Sequence, residues 1–271
     1  MKYLSTRDAS LRYSAAQAIV MGLSREGGLL TPETFPTVSE AFLESMISET
    51  YPRRAVAIMS LFLEEFSAEE LTGFADSAYR FGEKFDSEAV APVTHLTEGT
   101  EILELWHGST CAFKDMALQM LPYLLTASLQ KTGEEKTACI LVATSGDTGK
   151  AALEGFRDVP GTKILVFYPR DGVSDIQKLQ MVTQAGDNVG VCAVLGNFDD
   201  AQTGVKEIFS DAALRETLAA GGSFLSSANS INWGRILPQV VYYFSAYCDL
   251  VRDRRIRMGE PINFCVPTGN F

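Results

Sequence analysis

Residues Thr137 to Phe156 read TACILVATSGDTGKAALEGF, and this stretch decides the fold. Its first part, TACILVATS (137–145), is a short and nearly continuous apolar run, the pattern of a strand buried on both faces of a parallel sheet. A glycine-bearing turn follows, and then DTGKAALEGFRD (147–158) reads as a helix. The same alternation continues downstream. TKILVFYP (162–169) is a strand, SDIQKLQMVTQAG (174–186) a helix capped by Ser174, and NVGVCAVLG (188–196) a strand. FDDAQTGVKEIFSDAALRETLAA (198–220) reads as one helical stretch, SFLSS (223–227) as a short strand, and NWGRILPQVVYYFSAYCDLVRD (232–253) as a long helix. PINFCVPTGNF (261–271) reads as a strand running into a glycine-containing loop. Strands alternating with helices predict a right-handed, doubly wound α/β core.

Upstream the pattern differs. Residues 1 to about 92 read mostly as helix: SAAQAIVMGL (14–23), AFLESMISETYPRRAVAIMSLFLEEF (41–66), and SAEELTGFADSAYRFG (67–82), with Ser67 and Glu70 spaced for a capping box. GGLLTPETFP (27–36) is a loop by its glycine and proline content. Between this region and the core, TEILELWHG (100–108) is a strand with a turn, and KDMALQMLPYLLTASLQ (114–130) is a helix that Pro122 is placed to kink. A core strand with no return helix after it, ending at Phe271, predicts a longer parent chain.

Bulk properties narrow the function. With 271 residues, 46% hydrophobic and 21% charged, the chain has the profile of a globular protein. The net charge of −11 sets up a field that repels phosphate backbones, which argues against nucleic acid. No apolar run approaches the roughly 18 residues that cross a bilayer, so no membrane partner is expected. The cysteines (Cys111, Cys139, Cys192, Cys248, Cys265) form no C-x-x-C pair, and His95 and His107 are the only histidines, so no metal site is expected. These features together predict a cytoplasmic protein. Neither a P-loop nor a G-x-G-x-x-G is present, and two histidines in flanking segments offer no credible nucleophile–base pair. Asp199 and Asp200 read as a helix start.

Four segments hold side chains suited to chemistry, each after a strand or at a helix start, the edge where open α/β sheets bind ligands. In HGSTCAFKD (107–115), Lys114 follows the apolar pair Ala112-Phe113. A lysine in an apolar site loses its proton readily and becomes a nucleophile; the competing reading is a lysine whose ammonium reaches solvent. In ATSGDTGKAA (143–152), the backbone N–H groups around Ser145, Gly146, Asp147 and Thr148 can cradle a carboxylate or phosphate, or form an ordinary capped turn. In SSANSINWGR (226–235), Asn229, Ser230 and Asn232 offer neutral donors and Arg235 a guanidinium fork suited to a phosphate ester. PTGNF (267–271) is a short phosphate-nest pattern. A buried lysine, an anion loop and two phosphate-suited loops together describe a pyridoxal phosphate site.

These motifs, in this order, resemble the threonine synthase family. The carrying residues are YLSTRD (3–8), GLSREGGLLTP (22–32), LELWHGSTCAFKDMALQ (103–119), ATSGDTGKAA, YPRDGVSDIQKLQM (168–181), GNFDDAQ (196–202), SSANSINWGRILPQ (226–239) and VPTGNF (266–271), spread over the whole chain. Ser109 and Cys111 depart mildly from the family pattern. The resemblance implies a fold type II pyridoxal-phosphate enzyme of the tryptophan-synthase-β-like fold. It implies a mainly helical domain over 1–92 and a partial cofactor-binding α/β core over 93–271, with a smaller α/β subdomain at about 134–225. It implies conversion of O-phospho-L-homoserine and water to L-threonine and phosphate. Lys114 is then the cofactor lysine and general base. Asp147, Gly269, Asn270 and Phe271 contact the cofactor, and Ser145, Gly146, Thr148, Asn229, Ser230 and Arg235 hold the substrate. The partner is a small molecule, and the chain is a monomer or homodimer. Another lyase of the same fold, such as a threonine dehydratase, and a catalytically silent fragment that holds no cofactor are the alternatives.

Overall fold

The structure, a computed structural model, describes residues 1–266. Its first element, β1 (Tyr3–Ser5), leads through α1 (Ala15–Met21) to β2 (Leu30–Pro32), and β1 and β2 pair antiparallel. Helix α1 begins at a full capping box between Ser14 and Gln17 and stops at Gly22, whose φ of +65° a side chain tolerates poorly. The segment read as a loop thus contains a strand. Three residues with two prolines nearby carry no alternation to reveal it.

The stretch 41–66 is two helices, not one. Helix α2 (Glu40–Met46) ends before Thr50, and α3 (Tyr51–Ser60) restarts with Pro52 in its first turn, where a missing N–H costs nothing. Helix α4 (Ala68–Ala78) starts at the expected Ser67–Glu70 box. Arg54 of α3 is buried, donates to the Met46 and Ile47 carbonyls that end α2, and reaches Asp249 at 2.7 Å. It fastens the N-terminal helices to the last one.

A hairpin of β3 (Val93–Thr97) and β4 (Thr100–Leu103) follows, of which the sequence signalled only the second strand. The helix predicted over 114–130 is also divided, into α5 (Asp115–Leu118) and α6 (Leu121–Thr132), because Pro122 sits in the first turn of α6 rather than kinking a continuous rod. The core then runs β5 (Thr137–Ala143), α7 (Asp147–Phe156), β6 (Thr162–Pro169), α8 (Asp175–Val182), β7 (Val189–Val194), α9 (Phe198–Ser210), α10 (Ala212–Ala220), β8 (Ser223–Ser227) and α11 (Trp233–Arg252). Asp211, in extended backbone, separates α9 from α10 and caps the latter through Leu214 N. Residues 261–266 form no strand; Phe264 rests edge-on against Tyr243, ring centroids 4.7 Å apart.

All four core strands are parallel, in the order β7-β6-β5-β8. From β5 the chain winds outward to β6 and β7 and then returns to the other side of β5 as β8. The order therefore reverses between β5 and β8, and the loops leaving their C-terminal ends, 144–146 and 228–232, diverge around a crevice. Buried side chains of α1, α5, α6, α7, α11 and the sheet form one continuous core with those of the N-terminal helices.

Candidate active site

Lys114 caps α5 at the mouth of that crevice. Only 9% exposed, its Nζ lies 4.1 Å from the centroid of the Phe113 ring, and among the described residues no carboxylate lies within 4.0 Å of it. Burial lowers its pKa, the Asp147 charge opposes that, and Arg235 adds to the lowering. The loop presenting it is shaped by Asp115, fully buried, which accepts from Thr110 N and Oγ1, both at 2.8 Å. Gly108 makes room: a Cβ there would stand 2.4 Å from the Asp115 side chain. Gln119 donates to Ser109 Oγ at 3.1 Å and ties the start of the loop to the turn after α5. At the base of the loop, His107 bridges Asp86 (2.6 Å) and Glu104 (2.7 Å). Burial pushes its pKa down, but the two hydrogen-bonded carboxylates outweigh that and raise it.

The loop after β5 is built around buried Thr144, whose Oγ1 accepts from Gly146 N and Gly149 N, both at 2.9 Å. Gly146 adopts φ +146°, a conformation that favours glycine, and a Cβ on it would lie 2.4 Å from the Gln177 side chain and force that amide to move. With the Gly146 N–H committed to Thr144, the N–H groups of Ser145, Asp147 and Thr148 are those without an internal partner among the described residues, at the positive end of α7.

On the β8 side, Asn232 caps α11 and also donates to the carbonyls of Ile19 and Ser227. It is therefore a structural donor. Asn229 donates to Ala143 O at 3.3 Å and bridges the two strand ends. Arg235 is buried on the first turn of α11, where Nη1 donates to Ala228 O at 3.1 Å; among the described residues its Nε has no partner and no carboxylate lies within 4.0 Å. Burial lowers its pKa to about 10, so it stays cationic at neutral pH. A buried, unneutralised guanidinium is costly unless an anion completes it.

One cavity of about 400 Å³ gathers Lys114, Ser145, Thr148, Asn229, Ser230 and Arg235. Of the residues anticipated from sequence, Gly146 is buried behind the loop, and Asp147 turns to Gln177, whose Nε2 donates to its Oδ1 at 2.6 Å. Gly269, Asn270 and Phe271 lie outside the described residues. The cavity wall also includes Phe198 and Gln202 of α9, and Gln239 and Tyr243 of α11. These escaped the sequence reading, although their spacings of four from each other and from Arg235 place them on one helix face. Among the described residues no helix is long and apolar enough to cross a membrane, and no three His, Cys, Asp or Glu side chains cluster to hold a metal.

Comparison with known proteins completes the picture. Residues 2–79 match the family model for the threonine synthase N terminus. The chain is 39% identical over 272 residues to the threonine synthase of Pseudomonas aeruginosa, covering 100% of this chain and 55% of that protein. The chain is a homologue of threonine synthases. The PLP-bound threonine synthase structure from Brucella melitensis superposes with a TM-score of 0.82 at 37% identity, over 92% of this chain and 52% of that one. The Escherichia coli threonine synthase structure gives 0.80 at 35% identity. Human threonine synthase-like 1 is 40% identical over 286 residues, covering 99% of this chain and 38% of that protein. The chain thus spans between about a third and a little over half of the relatives it matches, and its α/β fold with a parallel sheet is that of threonine synthase.

Proposed function

We propose that this chain carries the lysine, the carboxylate loop and the phosphate clamp of a threonine synthase, which converts O-phospho-L-homoserine and water to L-threonine and phosphate with pyridoxal 5'-phosphate. The observation that carries the reading is the buried Arg235, cationic and without a carboxylate partner among the described residues, facing the same cavity as the buried Lys114. With the N–H groups at the start of α7 placed to take the carboxylate, an unphosphorylated amino acid would leave this cation without a partner.

The residues present suit the cofactor. A buried amine with no carboxylate partner among the described residues is the group an aldehyde needs, and the cavity has room beside it. Once bound, pyridoxal phosphate supplies an electron sink conjugated to the substrate Cα. The protein's part is positioning and proton transfer. Ser145, Asp147 and Thr148 N–H groups at the start of α7 receive the substrate carboxylate. Arg235, with Thr148, Asn229 and Ser230, grips the phosphate and stabilises it as it leaves. Lys114, its basicity reduced by burial, is the group placed to take and return protons at Cα and Cβ. Asp147 is assigned to the cofactor ring, and Gly269, Asn270 and Phe271 to its phosphate. We also read 93–271 as the cofactor-binding core and 1–92 as a helical accessory domain. The five cysteines, all unpaired among the described residues, suit a reducing, cytoplasmic setting.

The test is turnover. Protein supplied with cofactor and O-phospho-L-homoserine should release phosphate and threonine in equal amounts, and Arg235→Ala should lower kcat/KM about 10- to 100-fold, the loss of one or two charge-assisted hydrogen bonds. Unimpaired turnover by Arg235→Ala would reject the reading. Release of ammonia from threonine with no action on the phosphoester would favour a dehydratase instead.

A further inference from the structure

Among the described residues, the buried side-chain nitrogens and oxygens without a hydrogen-bond partner belong to Tyr51, Trp233, Arg235 and Tyr242. Folded proteins rarely leave such groups unpaired, because each has given up its water without replacement. Tyr51 and Trp233 do not line the Lys114 cavity; they pack edge-on against Tyr79 and Tyr3, with ring centroids 5.0 and 5.9 Å apart. Arg235 and Tyr242 both line it. They stand seven residues apart on α11, two turns along one face of the helix. Gln239, between them, spends an amide N–H on the Arg235 carbonyl at 2.8 Å. The Tyr242 ring packs on Tyr243, centroids 4.6 Å apart, and only 1% of the residue is exposed. Burial raises the pKa of its phenol, so the hydroxyl keeps a proton to donate. No aspartate or glutamate is among the described residues that line this cavity, so an anionic acceptor has to arrive with the ligand.

We propose that Tyr242 is a further substrate-binding residue, whose hydroxyl donates to the same phosphoryl group that completes Arg235. The proposal deepens the function given above and rests on its assignment of Arg235 to the substrate phosphate. A phosphoryl group carries enough acceptor lone pairs to satisfy a guanidinium and a phenol together. The hydroxyl is shielded from water while the ring lines the cavity, so the side chain turns to take up this bond as the ligand packs against the wall. The ligand-free protein thus keeps two unpaired donors on one helix face, and phosphate binding pairs both. Such an arrangement sacrifices stability of the empty fold for affinity toward the phosphoester.

Titration calorimetry without cofactor, where no turnover occurs, measures the effect. Tyr242→Phe keeps the ring and removes only the hydroxyl. It should raise the Kd for O-phospho-L-homoserine about tenfold, the loss of one hydrogen bond to a charged group. The Kd for L-homoserine, which has no phosphate, should not change. In urea denaturation of the ligand-free protein, the midpoint of Tyr242→Phe should be no lower than that of its parent, since the missing hydroxyl strands no partner. Tyr51→Phe removes the other unpaired phenol and should leave both Kd values unchanged. Three results would overturn the proposal: a Kd for O-phospho-L-homoserine raised by Arg235→Ala but not by Tyr242→Phe, an equal loss of affinity for both ligands, or a lowered midpoint or failure to fold in Tyr242→Phe. A parent that does not bind O-phospho-L-homoserine, or binding that Arg235→Ala leaves intact, would instead reject the function given above and this proposal with it.

Discussion

Replacing glycine by alanine inside a helix normally stabilises a protein, by about 1 kcal/mol from helix propensity alone. At Gly155 in α7 the sign should reverse. A Cβ built there lies 2.1 Å from the carbonyl oxygen of Leu118 and 3.0 Å from its carbonyl carbon. Both are backbone atoms of α5, so no rotamer change relieves the overlap; the two helices must separate by roughly 1 Å to reach ordinary contact. Overpacking of this kind costs about 1–3 kcal/mol, and a backbone obstacle puts it in the upper half of that range. Against the propensity gain, Gly155→Ala should lose about 1–2 kcal/mol net. Gly73, in α4, is the internal control: nothing lies within 4 Å of its added Cβ, so Gly73→Ala should gain about 0.5–1 kcal/mol. Urea denaturation followed by circular dichroism measures both. Because α5 begins directly after Lys114, Gly155→Ala should also slow the reaction of Lys114 with pyridoxal phosphate, whereas Gly73→Ala should not. A Gly155→Ala protein as stable as its parent would refute the steric argument for this helix crossing.

The buried Arg54–Asp249 pair predicts that Asp249→Ala, which strands the guanidinium, loses about 3–5 kcal/mol in the same unfolding assay. The raised pKa of His107 predicts a pH dependence of the opposite sense to a paired carboxylate. Its bridge to Asp86 and Glu104 contributes fully below the unfolded-state value of 6.5 and is lost as pH rises through the higher folded-state value. The stability gap between the unsubstituted protein and His107→Gln should therefore shrink steadily on going from about pH 6 to about pH 9; a constant gap would mean the histidine is neutral throughout.

What the sequence revealed and concealed follows from the range of the interactions involved. Strands β5 to β8 were legible because their apolar runs are local signals, and the capping box at Ser67 and the cap at Ser174 because they span at most three residues. The breaks at Pro52 and Pro122 were visible as prolines, but whether a proline kinks a helix or starts a new one depends on packing. The pairing of β1 with β2 joins residues nearly thirty apart and leaves no periodic trace in three-residue strands. The same holds for the site. Lys114, the Ser145–Thr148 loop and Arg235 announced themselves by residue type in context. Phe198, Gln202 and Gln177 did not, since only the return of β8 to the far side of β5 and the docking of α8 onto the Gly146 loop bring them there. Asn232, offered by its type as a phosphate donor, is instead consumed by Ile19 and Ser227.

The central claim is that Lys114 is the one lysine built to react with an aldehyde, and its direct test is covalent. The protein is incubated with a slight excess of pyridoxal phosphate near neutral pH, reduced with borohydride and mapped by peptide mass spectrometry. A pyridoxyl group concentrated on Lys114 is the predicted result. The label scattered over exposed lysines such as Lys136 and Lys178, with Lys114 unmodified, would contradict it.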